Sequence, residues 1–396
     1  MNRKDVLPAP ESAVRGCELR PQLKHLAWER HGDDLRVIYD RRECLVITDP
    51  DQSVEALLKL LRQGGRTIEE VAADLSAKRT EPVSADDIAA AVALFDEYRL
   101  VEDGDRLGTS GDGGRFDSNL AFFESFATLA QGRADFQDRL RRAHVLVLGT
   151  GGLNSNTVPH LCGLGIGRLT LVDRDLVEPR NFARQYLYRW SDIGASKVKV
   201  AEDWVRAFDP GVDVTGIEAS VDGPEDLEAL IDRTAPDIVM SGMDSPAEID
   251  HWLNDACLAR GVPYVRAGVS VTQGIIWSVD PGRSACRTCY RAAPVSARDS
   301  VTGDDAAFIA GLELFNRNTR VNRAIGPVVG LLGSLAAFEI LRYLTGLEPP
   351  VYAGKPTYID FAAACSMQSH AWQKMPGCAA CESVSQSSPQ AVALAT

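Results

Sequence analysis

Two cysteine pairs carry the most specific chemical signal in this 396-residue sequence. Cys286-Arg287-Thr288-Cys289 and Cys378-Ala379-Ala380-Cys381 are both C-x-x-C knuckles. Each sets two thiolates on one tight turn, and two such turns complete a closed tetrahedral S4 site for Zn2+. A closed site leaves no position for substrate, so its role is structural. Redox-active dithiols are the alternative, and they would want a thioredoxin-like context at a helix start. The remaining cysteines, Cys17, Cys44, Cys162, Cys257 and Cys365, have no flanking histidine or basic cluster. They read as small buried hydrophobes, the usual state of a free cysteine.

A second signal is the turn Gly149-Thr150-Gly151-Gly152-Leu153-Asn154, between the apolar run HVLVLG (144–149) and a helical pattern. Glycines there let backbone amides approach a phosphate, and the helix dipole favours the anion. Asp173 ends the next apolar run, RLTLVD (168–173), where a carboxylate can accept hydrogen bonds from ribose hydroxyls. These residues favour a nucleotide site. By themselves they leave NAD and ATP open.

The elements that must position these groups fall into two blocks. In the first, LAWERHG (26–32), DLRVIYD (34–40) and RECLVITD (42–49) predict an antiparallel meander. Three helical patterns follow. Ser53 can cap VEALLKLLRQGG; Thr67 and Glu70 form a capping box before Ile68, Val71, Ala72 and Leu75; Ser84 starts a third helix with Ile88, Ala91, Val92 and Phe95 on one side. That is a small α+β unit of winged-helix size, over residues 20–103. Residues 104–114, rich in Gly and Asp, read as a linker. From 115 to 385, the runs at 144–149, 168–173, 237–242 and 263–268 alternate with helical patterns, which predicts a doubly wound, mostly parallel Rossmann-like α/β domain. Residues 386–396 read as a disordered tail.

Forty-two Lys and Arg against fifty-five Asp and Glu give a net charge of −13. No overall basic field exists to attract a phosphate backbone, so nucleic acid is not an expected partner. The first twenty residues lack the apolar stretch of a secretory signal. The longest uncharged apolar run, Ala324 to Phe338, falls short of the roughly 20 residues a spanning helix needs. The expectation is a cytoplasmic chain without a membrane span.

The residues after Asp173 separate the nucleotides. Asp173-Arg174-Asp175-Leu176-Val177-Glu178-Pro179-Arg180-Asn181-Phe182-Ala183-Arg184-Gln185, then Asp192-Ile193-Gly194 and Lys197, closely resemble a pattern of the adenylating superfamily of ubiquitin-activating enzymes. That superfamily includes the ThiF, MoeB and MccB proteins; its pattern is D-x-D-x-V-x-x-x-N-x-x-R-Q followed by D-x-G-x-x-K, and the likeness covers about residues 115–382. The resemblance implies an ATP-dependent adenylyltransferase with Mg2+ and a structural zinc, working as a homodimer. It assigns Asp173 to the ribose and Asn181, Arg184 and Lys197 to the phosphates. Gly149, Gly151, Gly152, Asn154, Asp175 and Gln185 would surround the nucleotide, and Asp244 would hold Mg2+. Arg184, Lys197 and Asp244 are then the catalytic residues. Attack on an α-phosphate builds charge on phosphoryl oxygens, so fixed cations and a metal suit it better than a strong nucleophile. Two positions depart from the pattern. Asn154 stands where a third glycine is usual, and Ser118 replaces the second arginine of an R-[YF]-x-R segment that reaches the partner subunit's ATP. Arg115 and Arg133 are the candidate substitutes.

The first block resembles the PqqD-like recognition element that binds precursor leader peptides in ribosomal peptide modification. The resemblance implies a leader strand added beside Glu43 to Thr48 and packed against the helix from Ala85 to Leu100. A small dimerisation or capping domain is the alternative. Arg115 to Phe123 also looks like the lead-in of ThiF-like proteins from azoline and bacteriocin (TOMM) clusters. Together these imply a leader-binding enzyme that uses Mg-ATP to adenylate a precursor peptide for heterocyclisation or related bond formation. Two alternatives stay open: a non-catalytic scaffold presenting the precursor to a YcaO-type cyclodehydratase, and an adenylyltransferase acting on a sulfur-carrier protein.

Overall fold

A computed structural model describes residues 19–40, 43–108, 113–292 and 322–382. Cys17 and the expected tail at 386–396 lie outside the described residues. The chain divides into two compact units, one up to Asp138 and one from Arg139 on.

In the first unit, β1 (Pro21–Leu23) precedes the expected meander, β2 (Ala27–His31), β3 (Asp34–Asp40) and β4 (Glu43–Thr48). The meander is an antiparallel sheet with β3 in the middle and β4 at one edge. Alternation decides its faces: Leu35 and Val37 are buried, whereas Ile38 and Val46 are exposed. Leu35 and Val37 pack with Leu58 and Leu61 of α1 (Ser53–Gln63), Val71 of α2 (Ile68–Ser76) and Val92 of α3 (Ala85–Glu97). The Thr67–Glu70 capping box forms, and Ser84 builds a second one with Asp87. Ser53 does not cap α1. The buried carboxylate of Asp49 accepts from the amides of Val54 and Glu55, at 2.9 and 3.1 Å, and Arg30 holds it there. β5 (Val101–Asp103) pairs with β1, a three-residue ladder too short to show a period in the sequence. Residues 104–106 form a 3-10 turn at the start of the expected linker. Then come α4 (Asp117–Glu124) and α5 (Arg133–Arg142), which carries the chain into the second unit.

The second unit is built on one eight-stranded sheet. Its parallel part runs β8 (Asp213–Glu218), β7 (Arg168–Asp173), β6 (His144–Leu148), β9 (Ile238–Ser241), β10 (Tyr264–Ser270). Beyond β10, three strands return antiparallel: β11 (Gln273–Val279), β12 (Thr357–Asp360) and β13 (Ser366–Ser369). The four strands expected from sequence are all present. Among the other four, β8 and β12 carry only short, interrupted apolar patterns and β13 is exposed throughout, whereas β11 does carry an apolar stretch, Ile275 to Trp277.

Helices α6 (Asn154–Leu164), α7 (Lys197–Phe208), α8 (Pro224–Thr234) and α9 (Ile249–Ala259) alternate with the strands, followed by the short α10 (Arg287–Ala292), then α11 (Gly326–Thr345) and the short α12 (Ala379–Glu382). With 20 residues, α11 is longer than the uncharged run suggested, and by length and composition alone it could cross a bilayer. In the fold it packs against α6, β10 and β11, burying Val329, Leu332, Ala336 and Ile340. Gly333 allows the approach to α6: a Cβ there would lie 3.1 Å from Asn156 Cβ and 3.2 Å from the Thr157 amide. Glu339 ended the apolar run, yet it is wholly buried. Its carboxylate accepts from Ser278 Oγ and the Tyr352 amide at 2.8 Å and from the Val351 amide at 3.0 Å, with Arg342 at 3.3 Å.

Both knuckles meet beside α9. The Sγ atoms of Cys286, Cys289, Cys378 and Cys381 all lie within 4.8 Å of one another, with close pairs at 3.4–3.8 Å. A ZnS4 tetrahedron with bonds of about 2.3 Å has edges of about 3.8 Å, so the cluster fits zinc and is too open for disulfides. Amides of Cys289 and Met375 point at the sulfurs of Cys286 and Cys289, as thiolates require. Arg287 stacks above Trp277, Tyr290 and Trp372, and its amide donates to Asn254 Oδ1, which docks the knuckle on the domain. Among the other cysteines, Cys162 and Cys257 are buried as expected. Cys44 and Cys365 are exposed instead, Cys44 because it points outward from β4.

Two outcomes follow from these contacts. Glu339→Ala strands several buried donors and should lower unfolding free energy by about 3 kcal/mol or more, read from urea denaturation. Metal analysis of the purified protein should find one zinc per chain, and chelation, or Cys378→Ser, should lower the melting temperature of the second unit.

Candidate active site

Parallel pairing of β6 with β7 brings the glycine turn and Asp173 to the same sheet edge, where ligands bind in open α/β sheets. The Gly149 amide donates to Val172 O at 2.7 Å. Asp173 braces the turn from behind. Its Oδ2 accepts from the Thr150 amide at 2.6 Å and from Thr150 Oγ1 at 2.9 Å, and its Oδ1 accepts from the Asp175 amide at 2.8 Å. Tyr188 adds a hydroxyl donor to Thr150 O at 2.6 Å.

In front of this brace lies a cleft of about 1000 Å³. Gly151, Gly152, Asp175, Asn181, Arg184, Gln185, Lys197 and Asp244 all line it. Eight of the positions carried over from the resemblance are therefore brought together. Gly149, Asn154 and Asp173 stand behind the wall. Asn154 is buried and turns away from the cleft, its Nδ2 donating to Leu148 O and Gly149 O at 3.0 and 2.7 Å. Its side chain thus leaves the phosphate side of the turn open.

The cations are placed by backbone. Gly194, at φ +88, makes the turn that puts Lys197 at the start of α7. The Lys197 amide donates to Asp175 O at 2.9 Å, and the ammonium of its side chain, which is only 6% exposed, reaches Asp175 Oδ2 at 2.8 Å. Arg184 lies over the turn: a Cβ on Gly152 would come within 3.1 Å of its Cδ, so the missing side chain lets the arginine lie close to the turn. Burial and the neighbouring Arg180 lower the basicity of Arg184, while Asp244 acts the other way. Arg174 and Arg180 also line the cleft but are paired with Asp222 and Glu178. Arg184 is the cleft cation with no carboxylate in ion-pair distance among the described residues. Such a group is ready for an anion. Asn181 Oδ1 accepts from the Glu178 amide at 2.9 Å, which fixes the residue and leaves its amide nitrogen as the donor to offer.

Asp244 is 75% exposed and faces the same cleft. Mg2+ is commonly held by one or two carboxylates plus substrate phosphates, so a single hard oxygen donor beside two cations fits that metal. Sequence reasoning missed its partner. Arg266, on β10, is buried and donates to Asp244 Oδ1 at 3.0 Å and Asp250 Oδ1 at 2.7 Å. Burial opposes its charge, and the two carboxylates more than restore it. The signal was available: an arginine in the middle of the apolar run PYVRAG needs a buried counter-charge.

In the first unit, Arg133 forms ion pairs with Glu102 and Glu124 and is mostly buried. Both of these partners lie within the first unit. Arg115 lies against the Phe116 ring.

Comparison with known proteins agrees with this geometry. The chain is 30% identical over 250 residues to the molybdopterin-synthase adenylyltransferase of Escherichia coli K12, covering 90% of that protein. It is 29% identical over 248 residues to the sulfur carrier protein ThiS adenylyltransferase of the same organism, covering 89% of it. Among solved structures, E. coli MccB with ATP superposes with a TM-score of 0.72 at 18% identity, covering 92% of this chain and 100% of that one, which shows a shared fold. Residues 124–380 match the ThiF family, and the chain belongs to it.

Proposed function

We propose that this chain is an adenylyltransferase of ribosomal peptide modification: it binds the leader of a precursor peptide and uses Mg-ATP to adenylate a carboxyl or amide oxygen of that peptide. One observation carries the reading. Backbone amides at Gly151 and Gly152, the cations Arg184 and Lys197, and the carboxylate of Asp244 converge on a single cleft large enough for a nucleotide. A substrate oxygen attacks the α-phosphorus and pyrophosphate leaves. Arg184 and Lys197 offset the charge that grows on the phosphoryl oxygens, Asn181 donates to one of them, and the glycine amides hold the chain in line. Bound Mg2+ would neutralise phosphate charge from the Asp244 side.

Leader binding is proposed for the first unit. β4 is an edge strand, and edges accept an added strand through backbone hydrogen bonds. Val46, 55% exposed, and Leu94 and Tyr98 on and just after α3 offer apolar surface in the same unit. MccB supports the assignment: its likeness leaves out only 8% of this chain, far less than the first unit, and that enzyme of microcin C7 biosynthesis has been solved with N-formylated MccA. The scaffold reading, with a YcaO-type cyclodehydratase as partner, draws on Ser118 and on the ion pairs that Arg133 makes within the first unit. Sulfur-carrier activation draws on the two E. coli adenylyltransferases, each of which matches 62% of this chain, and on the family match, which begins at residue 124. A homodimer is proposed from the family pattern.

Purified protein with its precursor should release pyrophosphate from ATP, and Lys197→Ala or Asp244→Ala should lower the rate at least a hundredfold. Turnover that needs a separate partner enzyme and survives both substitutions would establish the scaffold instead. Val46→Glu should weaken precursor affinity about tenfold or more, by fluorescence anisotropy, and leave ATP affinity unchanged. Val46 suits this test because it points outward, whereas Ile47 packs on the core.

A further inference from the structure

Arg266 lies outside the D-x-D-x-V-x-x-x-N-x-x-R-Q and D-x-G-x-x-K segments, yet its neighbours Ala267 and Gly268 form one wall of the cleft. The guanidinium is buried beneath that wall and works as a fork. Nη2 is 3.0 Å from Asp244 Oδ1, Nε is 2.7 Å from Asp250 Oδ1 in the first turn of α9, and Nη1 donates to Ala267 O. Its charge also faces the Trp277 ring at 5.7 Å. Asp244, by contrast, sits in the loop after β9 with most of its surface in solvent. An exposed loop carboxylate would otherwise sample several rotamers.

We propose that Arg266 is a positioning residue for the metal-nucleotide complex: it engages one oxygen of Asp244 and turns the other toward the cleft, while Asp250 balances the arginine so that Asp244 still attracts a divalent cation. This rests on the nucleotide reading above. An arginine paired with Asp244 alone would be neutral and would weaken the pull on Mg2+. Two carboxylates on one guanidinium leave a net charge of about −1 facing the cleft. Lysine lacks the planar fork that reaches both carboxylates at once, so the two residues are not interchangeable here.

The test is Mn2+ binding to the full-length protein with a non-hydrolysable ATP analogue, followed by the electron paramagnetic resonance signal of free Mn2+. Asp250→Asn, nearly isosteric and checked for native folding by circular dichroism, should bind Mn2+ about fivefold more weakly. Arg266→Lys should change in the same direction. Affinity for the metal-free analogue in EDTA should stay at the wild-type value in both, which a purely structural role would not predict. If both variants bind Mn2+ like wild type while Asp244→Ala loses it, the positioning role is overturned. Wild-type protein that binds no analogue with or without metal would instead overturn the nucleotide reading, and this proposal with it.

Discussion

Behind the cleft, one carboxylate holds two loops in register. Asp173 accepts from both donors of Thr150 with one oxygen and from the Asp175 amide with the other. The first pair sets the glycine turn; the last sets the segment from which Asp175 reaches Lys197. Position therefore passes from the β6–β7 ladder to the turn, and from the turn to the first cation. A carboxylate that accepts three hydrogen bonds of 2.9 Å or less is a stiff joint, and moving the glycine turn would leave the buried donors of Thr150 without partners.

Among the described residues, charge in the cleft is arranged in balanced pairs with one exception. Lys197 is met by Asp175, Arg174 by Asp222, Arg180 by Glu178, and Asp244 by Arg266, which Asp250 balances in turn. Arg184 has burial and a like-charged neighbour acting against it, and the glycine of the turn gives it room. Its charge is therefore the least compensated, and an incoming anion gains most there. A pocket organised this way orders cations before substrate arrives, which is the condition for electrostatic stabilisation of a developing negative charge.

Away from the cleft, stability comes from joints that tie distant segments to the sheet. Glu339 fastens α11 to β11 and to the loop at Val351 and Tyr352. The four cysteines cluster where α12 meets α10, with Arg287 and three aromatic rings as the packing between them and the domain. Both joints bury polar or ionisable groups, and both are satisfied by several partners.

The residues of the candidate site and the cysteine cluster were largely legible in order along the chain. The two knuckles, the glycine turn with Asp173, and the run from Asp175 to Lys197 each declare a local geometry, because tight turns, helix starts and parallel strand ends are decided by short-range sterics and hydrogen bonding. Short segments between turn signals likewise marked β2 to β4, and apolar runs marked the core strands β6, β7, β9 and β10. What stayed hidden depends on which partner a side chain finds. Asn154 turns inward to the Leu148 and Gly149 carbonyls and Asp49, not Ser53, caps α1, both over a few residues, whereas Arg133 with Glu102 and Arg266 with Asp244 are settled by residues far away in sequence. A side chain's direction depends on which neighbour completes its hydrogen bonds, and only the folded chain brings those neighbours within 3 Å.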